Sequence, residues 1–152
     1  MRNVPSAVVI VTSELRGKPV GATIGSFTSL SLNPPLVSFN VMQDTRLCDA
    51  LLDSGRLNVH VLLDDQATLA ERFAVPNLDG SKIFADVDYE WVPKSIPKLW
   101  QTGAVLGCSV VQSVQTADHS LFVCRVDEVE HLRDGTPLLH FNRSYRTVGP
   151  KV

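Results

Sequence analysis

The chain has 152 residues, a size at which a single domain buries most of the apolar surface that unfolding would expose. With 44% hydrophobic residues, 20% charged residues and a formal net charge of −2, it has no field that would attract a polyanion, so nucleic acid is not an expected partner. The longest apolar run, Ala7 to Val11, is far shorter than the roughly 20 residues that cross a bilayer, and Met1 opens no secretory signal; a soluble, cytoplasmic protein is expected.

In chain order, Val8 to Val11 form a β-branched run, and Arg16-Gly17-Lys18-Pro19 follows as a turn, which together predict a hairpin. From Phe27 to Val41 apolar residues alternate: Leu30 and Leu32 share one face, Asn33-Pro34-Pro35 makes a turn, and Val37, Phe39 and Val41 continue at period two. Arg46 to Ser54 changes to helical spacing, with Leu47, Ala50 and Leu51 on one face, Asp44 or Thr45 as cap and Gly55 as stop. Leu57 to Leu63 reads as a strand and about Gln66 to Phe73 as a second helix.

Pro76 to Lys98, with Asn77, Asp79-Gly80, Pro93 and Pro97, predicts a long surface excursion holding at most short strands, and excursions of this length are often functional. Ala104 to Gln115 and Leu121 to Val129 are longer β runs joined by Thr116-Ala117-Asp118-His119, and Pro137 to Phe141 is a closing strand. Two short helices among about seven strands predict one mainly β domain over residues 1–152, a small antiparallel barrel with helices across its ends.

Several chemistries are missing from the pattern. No Gly-x-Gly-x-x-Gly follows a strand and no Gly-x-x-x-x-Gly-Lys occurs, so a nucleotide would have to be held differently. Cys48, Cys108 and Cys124 make no Cys-x-x-Cys and read as reduced core residues. His60, His119, His131 and His140 fall in no metal-ligand spacing, so no metal site is expected.

The segment Gly21 to Val37 carries the strongest signal, with Thr23, Ser26, Thr28, Ser29 and Ser31 beside Gly21 and Gly25 in a strand-like region. Small side chains let a flat ligand lie against the backbone, while hydroxyls and main-chain N–H groups bond its polar edge. A solvent-facing edge strand would give the same alternation.

This stretch resembles the Gly-x-Thr-x-x-Ser-Phe-x-Ser-x-Ser-Leu-x-Pro-Pro-Leu-Val signature of the flavin-reductase-like, FMN-binding split-barrel family. Arg56 to Leu62, Arg72-Phe73-Ala74, Asp118-His119-Ser120-Leu121-Phe122, Pro137 to Phe141 and Tyr145-Arg146 resemble further family segments in order and spacing, so the likeness spans nearly the whole chain. It implies an antiparallel, Greek-key split β-barrel with two or three short helices, acting as a homodimer with FMN, or FAD, at the subunit interface. Hydride would come from NADH or NADPH, and reduced flavin would pass to a monooxygenase or another acceptor.

By the same resemblance, Thr23, Ile24, Ser26, Phe27, Thr28 and Ser29 would contact the flavin ring and ribityl chain, with Asn40 from the next strand. The phosphate would sit near Asp44-Thr45-Arg46, where free N–H groups, the helix dipole and a guanidinium favour an anion. Arg72 and Phe73 would close over the flavin, and His119 would border the nicotinamide pocket. Each has a plainer reading: Arg46 as a solvated helix residue, Phe73 as core and His119 as a turn residue. No acid or base is assigned, because the redox chemistry belongs to the cofactor.

The chain departs from the family at His60, where Asn is usual, and at Met42, where a polar residue is usual, which predicts rearranged phosphate contacts. Relatives usually carry a helix ahead of the first strand, and here the sequence starts at that strand, so a shortened N-terminus is expected. Two other functions fit the same features: an electron carrier holding FMN without a nicotinamide, and a flavin-free dimeric barrel.

Overall fold

The structure is a computed structural model and describes residues 2–151. After the short β1 (Ser6–Ala7), β2 (Val9–Leu15) and β3 (Lys18–Ile24) form the predicted hairpin. Arg16 and Gly17 at its tip have φ of 51° and 75°, the paired positive angles of a type I′ turn. β4 (Thr28–Leu32) and β5 (Pro35–Met42) pair across Asn33-Pro34.

α1 (Arg46–Ser54) has the predicted bounds. Thr45 is its cap, with Oγ1 accepting the Cys48 N–H at 3.3 Å, while Gly55 stops it at φ 62°. Asp44, the other candidate cap, instead takes a left-handed φ of 59°. β6 (Arg56–Val61) leads to a single 3-10 turn at Asp64–Gln66 and then to α2 (Ala67–Phe73).

The excursion contains the one-turn α3 (Gly80–Ile83) and the paired strands β7 (Tyr89–Glu90) and β8 (Lys98–Leu99). The long hairpin β9 (Ala104–Thr116) and β10 (His119–His131) follows, then β11 (Leu139–Phe141) and β12 (Ser144–Arg146), which pair with β1 in a small second sheet.

The main sheet has seven strands in the order β3-β2-β6-β9-β10-β5-β4, with antiparallel pairing throughout, so the chain is mainly β as expected. One buried cluster packs between the main sheet and α1, joining Val11, Leu51, Val59, Phe39 and Phe122. A second lies under α2 and the excursion, joining Ile10, Leu62, Phe73, Phe84 and Leu99.

His60 belongs to this second region and not to any anion site. It is fully buried, with Nδ1 donating to Ile10 O at 3.1 Å and Nε2 accepting the Leu99 N–H at 3.0 Å. Those two bonds require the neutral ring, and burial lowers its pKa to about 4. Thr12 Oγ1 donates to Pro97 O at 2.6 Å, and Asn58 Nδ2 donates to the same oxygen at 3.2 Å. Three strand residues therefore fasten residues 97–99 across the sheet.

Candidate functional site

A cavity of about 650 Å³ lies where β3, the end of β5, the start of α1 and the β9–β10 turn converge. Its volume suits a cofactor-sized ligand. One wall is Pro19 to Ser26, opposite it are Asn40 to Met42 and Thr45 to Leu47, Phe73 to Leu78 form a side, and Thr116 to His119 form a rim.

The β3 wall approaches Phe73 closely because Gly21 has no side chain. A Cβ at that position would lie 2.9 Å from Phe73 Cε1 and 3.1 Å from Val11 O. Phe73 is itself core, packed edge-on against Phe84 at 5.2 Å, so its position beside the cavity is fixed. Thr23 Oγ1 donates to Ala70 O at 2.7 Å and ties β3 to α2. Ser26 Oγ accepts the Asn40 N–H at 2.9 Å, which joins the exit of β3 to β5.

At the α1 end, Thr45 Oγ1 donates to Met42 O at 2.7 Å while it caps the helix. The Arg46 N–H bonds Asn77 Oδ1 at 3.3 Å, and its guanidinium meets Asp79 Oδ1 at 3.2 Å. The Ser81 hydroxyl and Arg46 hold the Asp79 carboxyl below the usual carboxylate range. The loop after α2 is thus latched onto the helix start, and the Arg46 charge is partly balanced in place.

The opposite rim carries His119. Its Nδ1 lies 2.8 Å from Asp118 Oδ1, and that bond lowers the Asp118 pKa. β10 pairs His119 and Leu121 with Met42 and Asn40 on β5, and with Thr116 and Val114 on β9, so these residues share one face of the sheet. Met42 is 50% exposed and Val114 39% exposed on that face, and the cavity lies at its edge.

Of the residues singled out by sequence, Thr23, Ile24, Ser26, Asn40, Thr45, Arg46, Phe73 and His119 meet at this cavity. Phe27, Thr28, Ser29 and Arg72 do not line it. Phe27 turns into the first core cluster, and Thr28 and Ser29 are exposed on β4, Thr28 opposite Ser38 and on the face of Asn40. Arg72 lies on α2 one residue before Phe73, about 100° around the helix from it, and its guanidinium bonds Ala85 O.

The loop Ala74 to Leu78 and the side chain of Met42 also line the cavity and were not singled out as contacts. The only sequence signal for that loop was its place at the head of the long excursion.

Fold and cavity together define a class: an antiparallel β domain with a cofactor-sized cleft between a glycine- and hydroxyl-rich strand and a helix start. Residues 1–149 match the flavin reductase like domain, and the chain belongs to that family. It is 33% identical over 150 residues to an NADH:FMN oxidoreductase of Rhodococcus erythropolis, covering 95% of this chain and 77% of that protein. It is 35% identical over 136 residues to the reductase component of a 4-nitrophenol 4-monooxygenase/4-nitrocatechol 2-monooxygenase of Rhodococcus opacus, covering 90% and 71%.

A probable flavin reductase of Rhizobium meliloti, 32% identical over 123 residues, matches 81% of this chain, which spans only 39% of that longer protein. Among solved structures, a flavin reductase domain protein from Arthrobacter sp. FB24 superposes with a TM-score of 0.90 at 28% identity, covering 99% of this chain and 92% of that one.

Proposed function

We propose that the chain is an NAD(P)H-dependent flavin reductase that holds FMN, or the flavin half of FAD, in the cavity and supplies reduced flavin to a monooxygenase. The observation that carries this reading is the convergence of the Gly21–Ser26 wall, the α1 start and the His119 rim on one cavity of about 650 Å³. Family membership and relatives named for flavin reduction support it.

The chain's residues fit a flavin. Gly21 and Ala22 leave a flat wall for a planar ring, and Ile24 and Phe73 supply apolar contact. Ser26, Asn40 and the adjacent main chain can bond a polar ring edge, and Thr45 and Arg46 stand where a phosphate would meet a helix start. Bound flavin supplies the hydride-accepting centre, and the protein's part is to orient it and exclude competing reactions. His119 is assigned to the nicotinamide side of the cavity.

The active form in this reading is a homodimer of split barrels. The sheet is an unclosed ladder with β3 and β4 at its ends, and the face carrying Met42, Val114 and His119 is partly apolar and opens beside the cavity. A second copy covering it would bring Thr28 close to a bound ligand. Cys48, Cys108 and Cys124, all free and buried, support a reducing, cytoplasmic setting.

The test is oxidation of NADH and of NADPH, followed by absorbance, with and without added FMN or FAD. Flavin-dependent turnover with at least one nucleotide is expected. Flavin bound tightly with no oxidation of either nucleotide would make the protein an electron carrier, and no flavin binding would leave an empty barrel.

A further inference from the structure

Gln43 does not line the cavity, yet it touches three residues of the His119 turn. It follows β5 and stands two residues before the α1 cap. Its backbone N–H donates to Asp118 O at 2.9 Å, one step beyond the Met42–His119 pair of the ladder. Its side-chain Nε2 donates to His119 O at 2.9 Å and to Ala117 O at 3.2 Å, while Oε1 accepts from Gln115 Nε2 at 3.0 Å. Two carbonyl oxygens can only accept, so the amide nitrogen must face them and the amide has one orientation.

The turn needs this support. Ala117 is held at φ 46°, a left-handed conformation disfavoured for a residue with a Cβ. Thr116 Oγ1 adds a bond to His119 O at 3.1 Å, and Asp118 accepts the His119 Nδ1–H, which in the neutral ring leaves Nε2 as the acceptor. Gln43 is also joined to the other end of the cavity through the backbone, by Asp44 at φ 59° and then Thr45. Gln43 therefore links the helix start to the histidine rim through both its backbone and its side chain.

We infer that Gln43 is a positioning residue for the nicotinamide: it acts through His119 and fixes the opening the nicotinamide must enter. The inference rests on the flavin-reductase reading, with His119 at the nicotinamide side.

Gln43→Met keeps the length and removes all three side-chain bonds. Gln43→Glu keeps an acceptor for Gln115 but turns a carboxylate toward two carbonyls, and it serves if the Met variant does not fold. In steady-state assays both raise KM for the nicotinamide by about tenfold, the scale on which a displaced positioning group acts. The kcat at saturating nicotinamide and the FMN dissociation constant, read by flavin fluorescence, change by less than about twofold. In a His119→Ala background Gln43→Met adds no further rise in KM, because the group it positions is gone.

Unchanged KM in both variants overturns the inference, as does a KM rise that persists in the His119→Ala background or a parallel loss of FMN affinity. In each of those cases wild-type protein still oxidises the nicotinamide. A wild type that oxidises neither nucleotide rejects the flavin-reductase reading itself, and the inference with it.

Discussion

The main sheet carries two sets of polar side chains that meet different fates. On the side of β2 and β6, Thr12, Asn58 and His60 are each bonded to the backbone of residues 97–99. On the side of β3, β5 and α1, Ser26, Asn40, Thr45 and Arg46 are held in position by short bonds yet still border a large cavity. Backbone bonds hold members of both sets in place, so what marks the ligand site is the cavity of about 650 Å³ that the second set borders. The closed set should govern stability and the open set ligand binding.

The largest effect tests the closed set. The folded state keeps His60 neutral with a pKa of about 4, whereas the unfolded chain binds a proton below about pH 6.5. The stability from this group is complete above pH 6.5 and is lost as the pH falls toward 4, about 3 kcal/mol in all. Urea unfolding at a series of pH values measures it. A variant such as His60→Gln, which cannot titrate, is less stable at pH 7 but has a flatter profile between pH 6.5 and 4. An equally steep profile in that variant would assign the acid sensitivity to other groups.

The next effect lies where the two sets meet. Gly21 lines the cavity, and a Cβ there would meet the Phe73 ring and the Val11 carbonyl, so Gly21→Val forces a contact that a buried ring and a backbone oxygen must yield to. Overpacking of this kind costs about 2 kcal/mol and lowers the thermal midpoint by about 4–8 °C in a chain of this length. Flavin binding is lost with it. Ser29→Val, on exposed β4, moves the midpoint by less than about 2 °C. Equal shifts in a thermal melt would mean that the hydroxyl-rich segment is uniform in its packing, contrary to the cavity geometry.

This contrast shows what was legible in the sequence. The bounds of α1 were readable because Thr45 and Gly55 are local signals, and the β2–β3 hairpin because its turn is local too. The helical turn Gly80–Ile83 was not, since four residues carry no period. His60 could not be placed, because its partners Ile10 and Leu99 are 50 and 39 residues away. Within the site, one run of hydroxyls suggested one surface. The chain instead leaves the cavity at Phe27, whose ring the core takes, so Thr28 and Ser29 continue the pattern without lining it.

Ser26→Val and Thr28→Val divide that run. Ser26 sits on the cavity wall and accepts the Asn40 N–H, so its loss removes a hydroxyl and leaves a donor unpaired; FMN affinity falls about tenfold in calorimetry. In the proposed homodimer a second copy covers the face shared by Thr28 and Asn40, so Thr28→Val lowers FMN affinity comparably, and sedimentation of the flavin-bound protein shows the dimer. A change of less than about twofold would mean that one protomer forms the whole site.

The smallest effect concerns the phosphate end. Arg46 is partly exposed and already paired with Asp79, so a phosphate gains only what that ion pair gives up. Arg46→Ala should weaken FMN by about threefold at low salt and leave riboflavin, which has no phosphate, unchanged; the difference fades at about 1 M salt, where the screening length falls to about 3 Å. Asp79→Asn frees the guanidinium and shifts FMN affinity in the opposite direction at low salt. Riboflavin affinity that fell with FMN in Arg46→Ala would place Arg46 against the ring system instead, and the α1 start would lose its assignment as the phosphate end.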